Sequence, residues 1–226
     1  MCARITQTRS PQTYAKEMGW TVDDYVEHDW QPSWNIAPGM SPMVMSFFDD
    51  LHRFDPLYWG YKPPWDAANK RHAQQCAPVE TVAHSAVFRD MLKSGRIIVP
   101  ADGWYEWAGE KMPKLPWYFR RKSGAPVFIA ALTYTEPSQE ALPELGFVIL
   151  TTAATGAMAS LHKRRPIVLS PEDASSWMSP DTSDDLAEHI ARKMALKPEV
   201  FEWHRVSTDV NEQGRSDPSM IKPIEV

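Results

Sequence analysis

The second residue of the chain is a cysteine, one of only two in 226 residues. Removal of the initiator Met1 leaves Cys2 with an α-amine and a thiol on one residue. An aldehyde condenses with such an amine to an imine, and the thiol closes on the same carbon to give a thiazolidine. The closure is intramolecular and escapes most of the entropic barrier of a two-body reaction. The same thiol can attack a carbonyl, as in cysteine amidases and peptidases. With Met1 retained, the Cys2 nitrogen is an amide and only the thiol reacts. Glu106, in "PADGWYEW", lies between Tyr105 and Trp107 at the end of an apolar run. Desolvation there raises a carboxyl pKa toward the range useful for proton transfer, although a glutamate in a strand more commonly faces solvent. His162, in "SLHKRRPIVL", precedes Lys163, Arg164 and Arg165. Those cations favour proton loss from the imidazole, which suits a general acid or a phosphate contact, the plainer reading being a loop histidine.

The elements that must position these residues are short. Twenty prolines against ten glycines, spread along the chain, argue for many turns and no long linker. Strand-type runs fall at 43–48, 96–107, 116–121, 126–134 and 147–152. From Val79, apolar residues at Val82, Ala83, Ala86, Val87 and Met91 predict one helix with a buried face. "SPEDASSWM" and "TSDDLAEHIARKM" predict two more. Ser170 caps the first, with Pro171 in its first turn, and acidic residues lead basic ones in the second. Strands and helices without βαβ alternation predict an α+β fold. The expectation is a single domain over 1–226 with a central antiparallel, barrel-like sheet flanked by helices.

Composition narrows the chemistry. A net charge of -5 gives nucleic acid no global attraction, so such a partner needs a local basic face. Arg120, Arg121 and Lys122 supply one basic run, and Lys163, Arg164 and Arg165 a second; both read equally as solvated surface. Trp65, in "YKPPWD", is placed at the surface, where an aromatic face stacks on an unpaired base for roughly 1 to 3 kcal/mol. Two cysteines with no CxxC and seven scattered histidines leave no metal-ligand spacing, so neither metal nor other cofactor is expected. No apolar stretch nears a membrane span and no secretory pattern opens the chain, so a cytoplasmic monomer without membrane contact is expected.

Taken in order, "MCARI", "WNIAPG", "WGYKPPW", "VET", "VPADGWYEW", "HKRRPIVL" and "VSTDVN" with "IKPI" resemble the SOS response-associated peptidase (SRAP) family over nearly the whole chain. The resemblance implies an α+β domain with a positively charged groove for single-stranded DNA carrying abasic sites. It implies loss of Met1, by self-processing, and a thiazolidine between Cys2 and the ring-opened sugar. Glu106 matches the acid/base and His162 the histidine that helps open the sugar and later reverse the link. Arg4, Asn35, Trp65 and Arg164 match groove or site-supporting positions, and Arg165 joins them as a DNA contact. The chain departs from the family pattern at Cys76 in place of an asparagine, Pro78 in place of an arginine, and Ala3 in place of a glycine. Cys76 is thereby a candidate redox partner for Cys2. Two other readings stay open: a non-covalent single-stranded DNA-binding module, and a thiol autopeptidase with no DNA role.

Overall fold

The computed structural model describes residues 4–21, 25–26, 29–48, 50–66, 72–109, 114–134, 142–212 and 214–224. In chain order the elements are β1 (Arg4–Gln7), α1 (Pro11–Glu17), β2 (Tyr25–Val26), β3 (Ser33–Ile36), β4 (Met43–Phe48), β5 (Leu51–Pro56), β6 (Cys76–Pro78), α2 (Val79–Val82), α3 (Arg89–Ser94) and β7 (Arg96–Ala101). There follow β8 (Gly103–Ala108), β9 (Leu115–Arg121), β10 (Val127–Thr133), β11 (Phe147–Ala153), β12 (Arg164–Pro166), β13 (Val168–Leu169), α4 (Pro171–Met178), α5 (Asp184–Lys193) and β14 (Phe201–Arg205).

The apolar runs become the most buried strands. All six residues of β7 and all seven of β10 are buried. A strand hydrophobic on both faces must be covered on both. On one side Ile98, Phe128, Ala130 and Leu132 pack with Tyr14, Trp177 and Ile190 from α1, α4 and α5. On the other, Ile97, Val99, Ile129 and Ala131 meet Ile5, Trp104 and Phe119 of a second sheet. The result is three layers: helices, a large sheet, and a small sheet.

The small sheet has the order β14-β9-β8-β1-β3 and its pairings are antiparallel. The large sheet runs β12-β11-β10-β7-β4-β5-β2, with β13 on β10 and β6 on β11. Two of its pairings, β6 with β11 and β2 with β5, are parallel. The α+β expectation holds. Among the described residues neither sheet closes on itself, so the sheets are open and stacked rather than barrel-shaped.

Two sequence expectations change. The run 96–107 divides at Asp102 into β7 and β8, which belong to different sheets. Gly103 permits the crossing, because a Cβ there would stand 2.3 Å from the Phe119 carbonyl oxygen. The helix predicted from Val79 is two short helices, α2 and α3. Between them the Ser85 hydroxyl accepts the Val87 N–H at 3.2 Å, a side-chain bond that competes with helix continuation. Helix α1 went unread although Ser10 and Pro11 cap it as Ser170 and Pro171 cap α4.

Gln7 fastens the small sheet to the large one. Its amide nitrogen donates to the carbonyls of Met43 and Pro100, each at 2.7 Å, and its oxygen accepts the Met43 N–H at 3.0 Å. Asp102 secures the next residues, accepting from the Thr8 backbone at 2.6 Å and from the Tyr14 hydroxyl at 3.1 Å. Strand β1 is held at its C-terminal end from both sides.

Candidate active site

Strand β1 pairs with β8 in the register Arg4 to Tyr105, Ile5 to Trp104 and Thr6 to Gly103. Each step toward the N-terminus is therefore a step along β8 toward Glu106. Side chains two apart on a strand share a face, so Glu106 lies on the side of Trp104, which is buried between the sheets. Glu106 is only 2% exposed, and burial pushes its pKa up to about 8.

His162 arrives from the far side, at the end of the turn Gly156–Ser160. Its Nδ1 stands 3.4 Å from Glu106 Oε2 and 2.8 Å from the Arg164 carbonyl oxygen. The same Nδ1 also lies 3.2 Å from the Arg164 N–H, which donates to it, so the two Arg164 contacts call for opposite tautomers of the neutral ring. Burial lowers the His162 pKa and the Lys114 charge lowers it further, while the Arg164 carbonyl works the other way. Near neutral pH the pair is a carboxylic acid against an imidazole, not an ion pair. Such a pair can donate a proton from one member and accept one at the other.

Cys76 opens β6 opposite Ile149 of β11. Its thiol is pushed up to about 12, first by burial and then by the Glu106 charge, which sets it beside that carboxyl. Arg164 forms a bidentate fork with Glu80, at 2.8 and 2.9 Å, and also donates to the Thr151 carbonyl at 2.6 Å. Glu80 is held below the usual carboxylate range chiefly by those bonds. Arg165 alternates to the opposite face of β12 and is buried, away from the surface a DNA contact requires. Trp65 is 67% exposed in the turn Pro64–Asp66.

Arg4 and Asn35 form a separate clamp. Arg4 Nη1 donates to Asn35 Oδ1 at 2.7 Å. The Asn35 amide nitrogen reaches the carbonyls of Val210, Glu212 and Arg215, the last at 2.8 Å. Trp107 Nε1 donates to Asn211 Oδ1 at 2.8 Å, so the "VSTDVN" segment is tied to the end of β8. Cys2 lies outside the described residues. The structure thus gathers Glu106, His162, Cys76 and Arg164, and places Arg4 on the strand next to them. Sequence reasoning missed the roles of Glu80, Thr151 and Lys114, whose partners are remote in sequence and leave no local signal. Among the described residues there is no cluster of three or more His, Cys, Asp or Glu that could hold a metal, and no helix long and apolar enough to cross a membrane.

With this α+β architecture and a carboxyl–imidazole pair at the end of the first strand, the chain belongs to the SOS response associated peptidase (SRAP) family, whose model matches residues 1–213. Among individual proteins it is similar to the abasic site processing protein YedK of Escherichia coli, 34% identical over 99% of this chain and 100% of that one. The abasic site processing protein YoqW of Bacillus subtilis is 27% identical over 98% of this chain and 99% of its own length. The crystal structure of a phage-related protein from Bordetella bronchiseptica superposes with a TM-score of 0.78 at 33% identity, covering 98% of this chain and 100% of that one.

Proposed function

We propose that this protein processes abasic sites in single-stranded DNA by covalent capture through Cys2. The observation that carries the reading is the pairing of buried Glu106 with half-buried His162, toward which the β1–β8 register leads the N-terminus. Covalent reach keeps the Cys2 Cα within about 7.6 Å of the Arg4 Cα. The relatives named as abasic site processing proteins support the substrate.

Self-processing comes first. The Cys2 thiol adds to the Met1 carbonyl, the acyl group shifts from nitrogen to sulfur, and water hydrolyses the thioester to release methionine. Glu106 carries the protons between nitrogen and sulfur. The freed amine then adds to the aldehyde of the ring-opened sugar. Glu106, in its acid form, protonates the hydroxyl that leaves as water, and the thiol closes on the imine carbon. His162 exchanges the proton of the sugar ring oxygen as the ring opens and recloses. The imine stage also permits strand cleavage of the lyase type as a side reaction. In this reading the whole chain works as one domain and as a monomer.

The test is the intact mass of the protein before and after incubation with a single-stranded oligonucleotide carrying one abasic site. Loss of Met1 and a shift by the mass of the DNA, both absent in Cys2→Ala, are expected. Salt-sensitive binding with no adduct would make the protein a non-covalent module. Loss of Met1 with no DNA binding would make it an autopeptidase.

Cys76 serves this site as a redox partner. Hydrogen peroxide oxidises the Cys2 thiol to a sulfenic acid with release of water, and the Cys76 thiol condenses with it, releasing a second water and leaving a disulfide. The treated protein should weigh two hydrogens less and fail to crosslink until a dithiol reduces it. If peroxide shifts the mass of the wild type no differently from that of Cys76→Ser, no such bond forms.

A further inference from the structure

The motif "VSTDVN" reaches the reacting end of the small sheet, and one of its residues touches both strands that meet there. Among the described residues the β1–β8 register ends at Arg4 opposite Tyr105. Glu106 and Trp107 lie past it, paired on the other edge with Trp117 and Pro116 of β9. Against this stretch lies the turn Thr208–Asn211. The Ser207 hydroxyl caps the turn by accepting the Asp209 N–H, and Val210 is fully buried in a cluster with Tyr105 and Tyr118. Asn211 is thereby held in place from within the turn. Its side-chain oxygen accepts the Trp107 indole N–H at 2.8 Å, and its backbone carbonyl accepts from Arg4 Nη2 at 3.4 Å. In sequence, Cys2 stands two residues before Arg4, and Glu106 one before Trp107.

We propose that Asn211 is a positioning residue for the capture reaction, tying the end of β8 that carries Glu106 to the end of β1 that delivers Cys2. The reaction itself rests on the function proposed above. Gln7 and Asp102 hold the far end of β1 and the residues that follow it. Asn211 serves the near end, and it serves both strands through one residue. Capture needs nucleophile, aldehyde and acid in contact at once, and a displacement of about 1 Å can cost such a step about 100-fold. Asn211 acts through Trp107 and Arg4 rather than on the substrate. Loss of its side-chain bond therefore lowers the rate of the chemical step and leaves the affinity for DNA in place.

The experiment follows single-turnover adduct formation on a single-stranded oligonucleotide carrying one abasic site, after an added aminopeptidase has removed Met1. Varying the DNA concentration separates the limiting rate from the half-saturating concentration. Asn211→Leu removes the acceptor of the Trp107 N–H, and Asn211→Asp keeps it. The limiting rate should fall roughly 10- to 100-fold in Asn211→Leu at an unchanged half-saturating concentration, and hold its wild-type value in Asn211→Asp. In Trp107→Phe, which lacks the donor, adding Asn211→Leu should lower the rate no further, as expected of two partners in one bond. Asp217→Ala loosens the same segment by removing bonds to Arg215 and Ser219. It should keep the limiting rate whatever it does to Tm. A rate unchanged in Asn211→Leu, a loss as large in Asn211→Asp or Asp217→Ala, or a further loss when Asn211→Leu is added to Trp107→Phe would overturn the positioning role and leave covalent capture standing. A wild type that forms no adduct would overturn both.

Discussion

Glu106 is a carboxyl that the fold keeps protonated. Its ordinary pKa near 4.3 rises to about 8 in the native state, first through burial. Between those values the folded protein binds more protons than the unfolded one. The stabilisation is complete below the unfolded pKa and is lost as pH rises through the folded one. Glu106→Gln removes this titration. Its Tm relative to wild type should move in the variant's favour by roughly 3 to 10 °C between about pH 5 and pH 9, which corresponds to about 1 to 3 kcal/mol. Adduct formation should follow a bell with its maximum near pH 8. An α-amine losing its proton at about 7.7 to 8.0 gives the rising limb, and Glu106 losing its own gives the falling limb. In Glu106→Gln, with Met1 removed by an added aminopeptidase, the rate should fall roughly 100-fold or more and the falling limb should vanish. A falling limb retained in that variant would assign the acid elsewhere.

Strand β3 is joined to the C-terminal segment by the Asn35 amide and by the Ser216 hydroxyl, which bonds Ser33 and Trp34. Asn35→Ala strips three carbonyls and Arg4 of their shared partner. That change should cost about 2 to 3 kcal/mol in denaturant titration and speed tryptic cleavage after Arg215. Unchanged cleavage would mean that the segment is held by other contacts. The bonds from Asn35 to the C-terminal carbonyls were not legible in "WNIAPG", because those carbonyls lie 175 or more residues away. What was legible was local. Unbroken apolar runs gave β4, β10 and β11 nearly to the residue, Ser170 with Pro171 gave α4, and acidic residues leading basic ones gave α5. Periodicity overran at Val79 because the apolar spacing continues past the point where Ser85 turns the backbone. Glu106 was readable as a carboxyl in aromatic surroundings and His162 as a histidine beside cations. Their meeting at 3.4 Å was not, since it depends on how β8 and the turn before β12 face each other across the sheets.

At the scale of the whole molecule, the two sheets share one apolar core, and Gln7 is the buried polar bridge between them. Gln7→Leu would leave the Met43 N–H and the carbonyls of Met43 and Pro100 without that partner. The expected loss is about 2 to 4 kcal/mol, read as a lower denaturant midpoint at an unchanged m-value. A loss under about 0.5 kcal/mol would show that water or a relaxed backbone replaces the amide. The same strand has a consequence during synthesis. β1 is made before its neighbour β8, which lies roughly 100 residues later in the chain, and His162 comes later still. At about 5 to 20 residues per second, the acid/base pair does not exist until roughly 8 to 30 seconds after β1 is made. Throughout that interval β1 has neither β8 to pair with nor the Glu106–His162 pair beside it, so the self-processing proposed above waits on the synthesis of both.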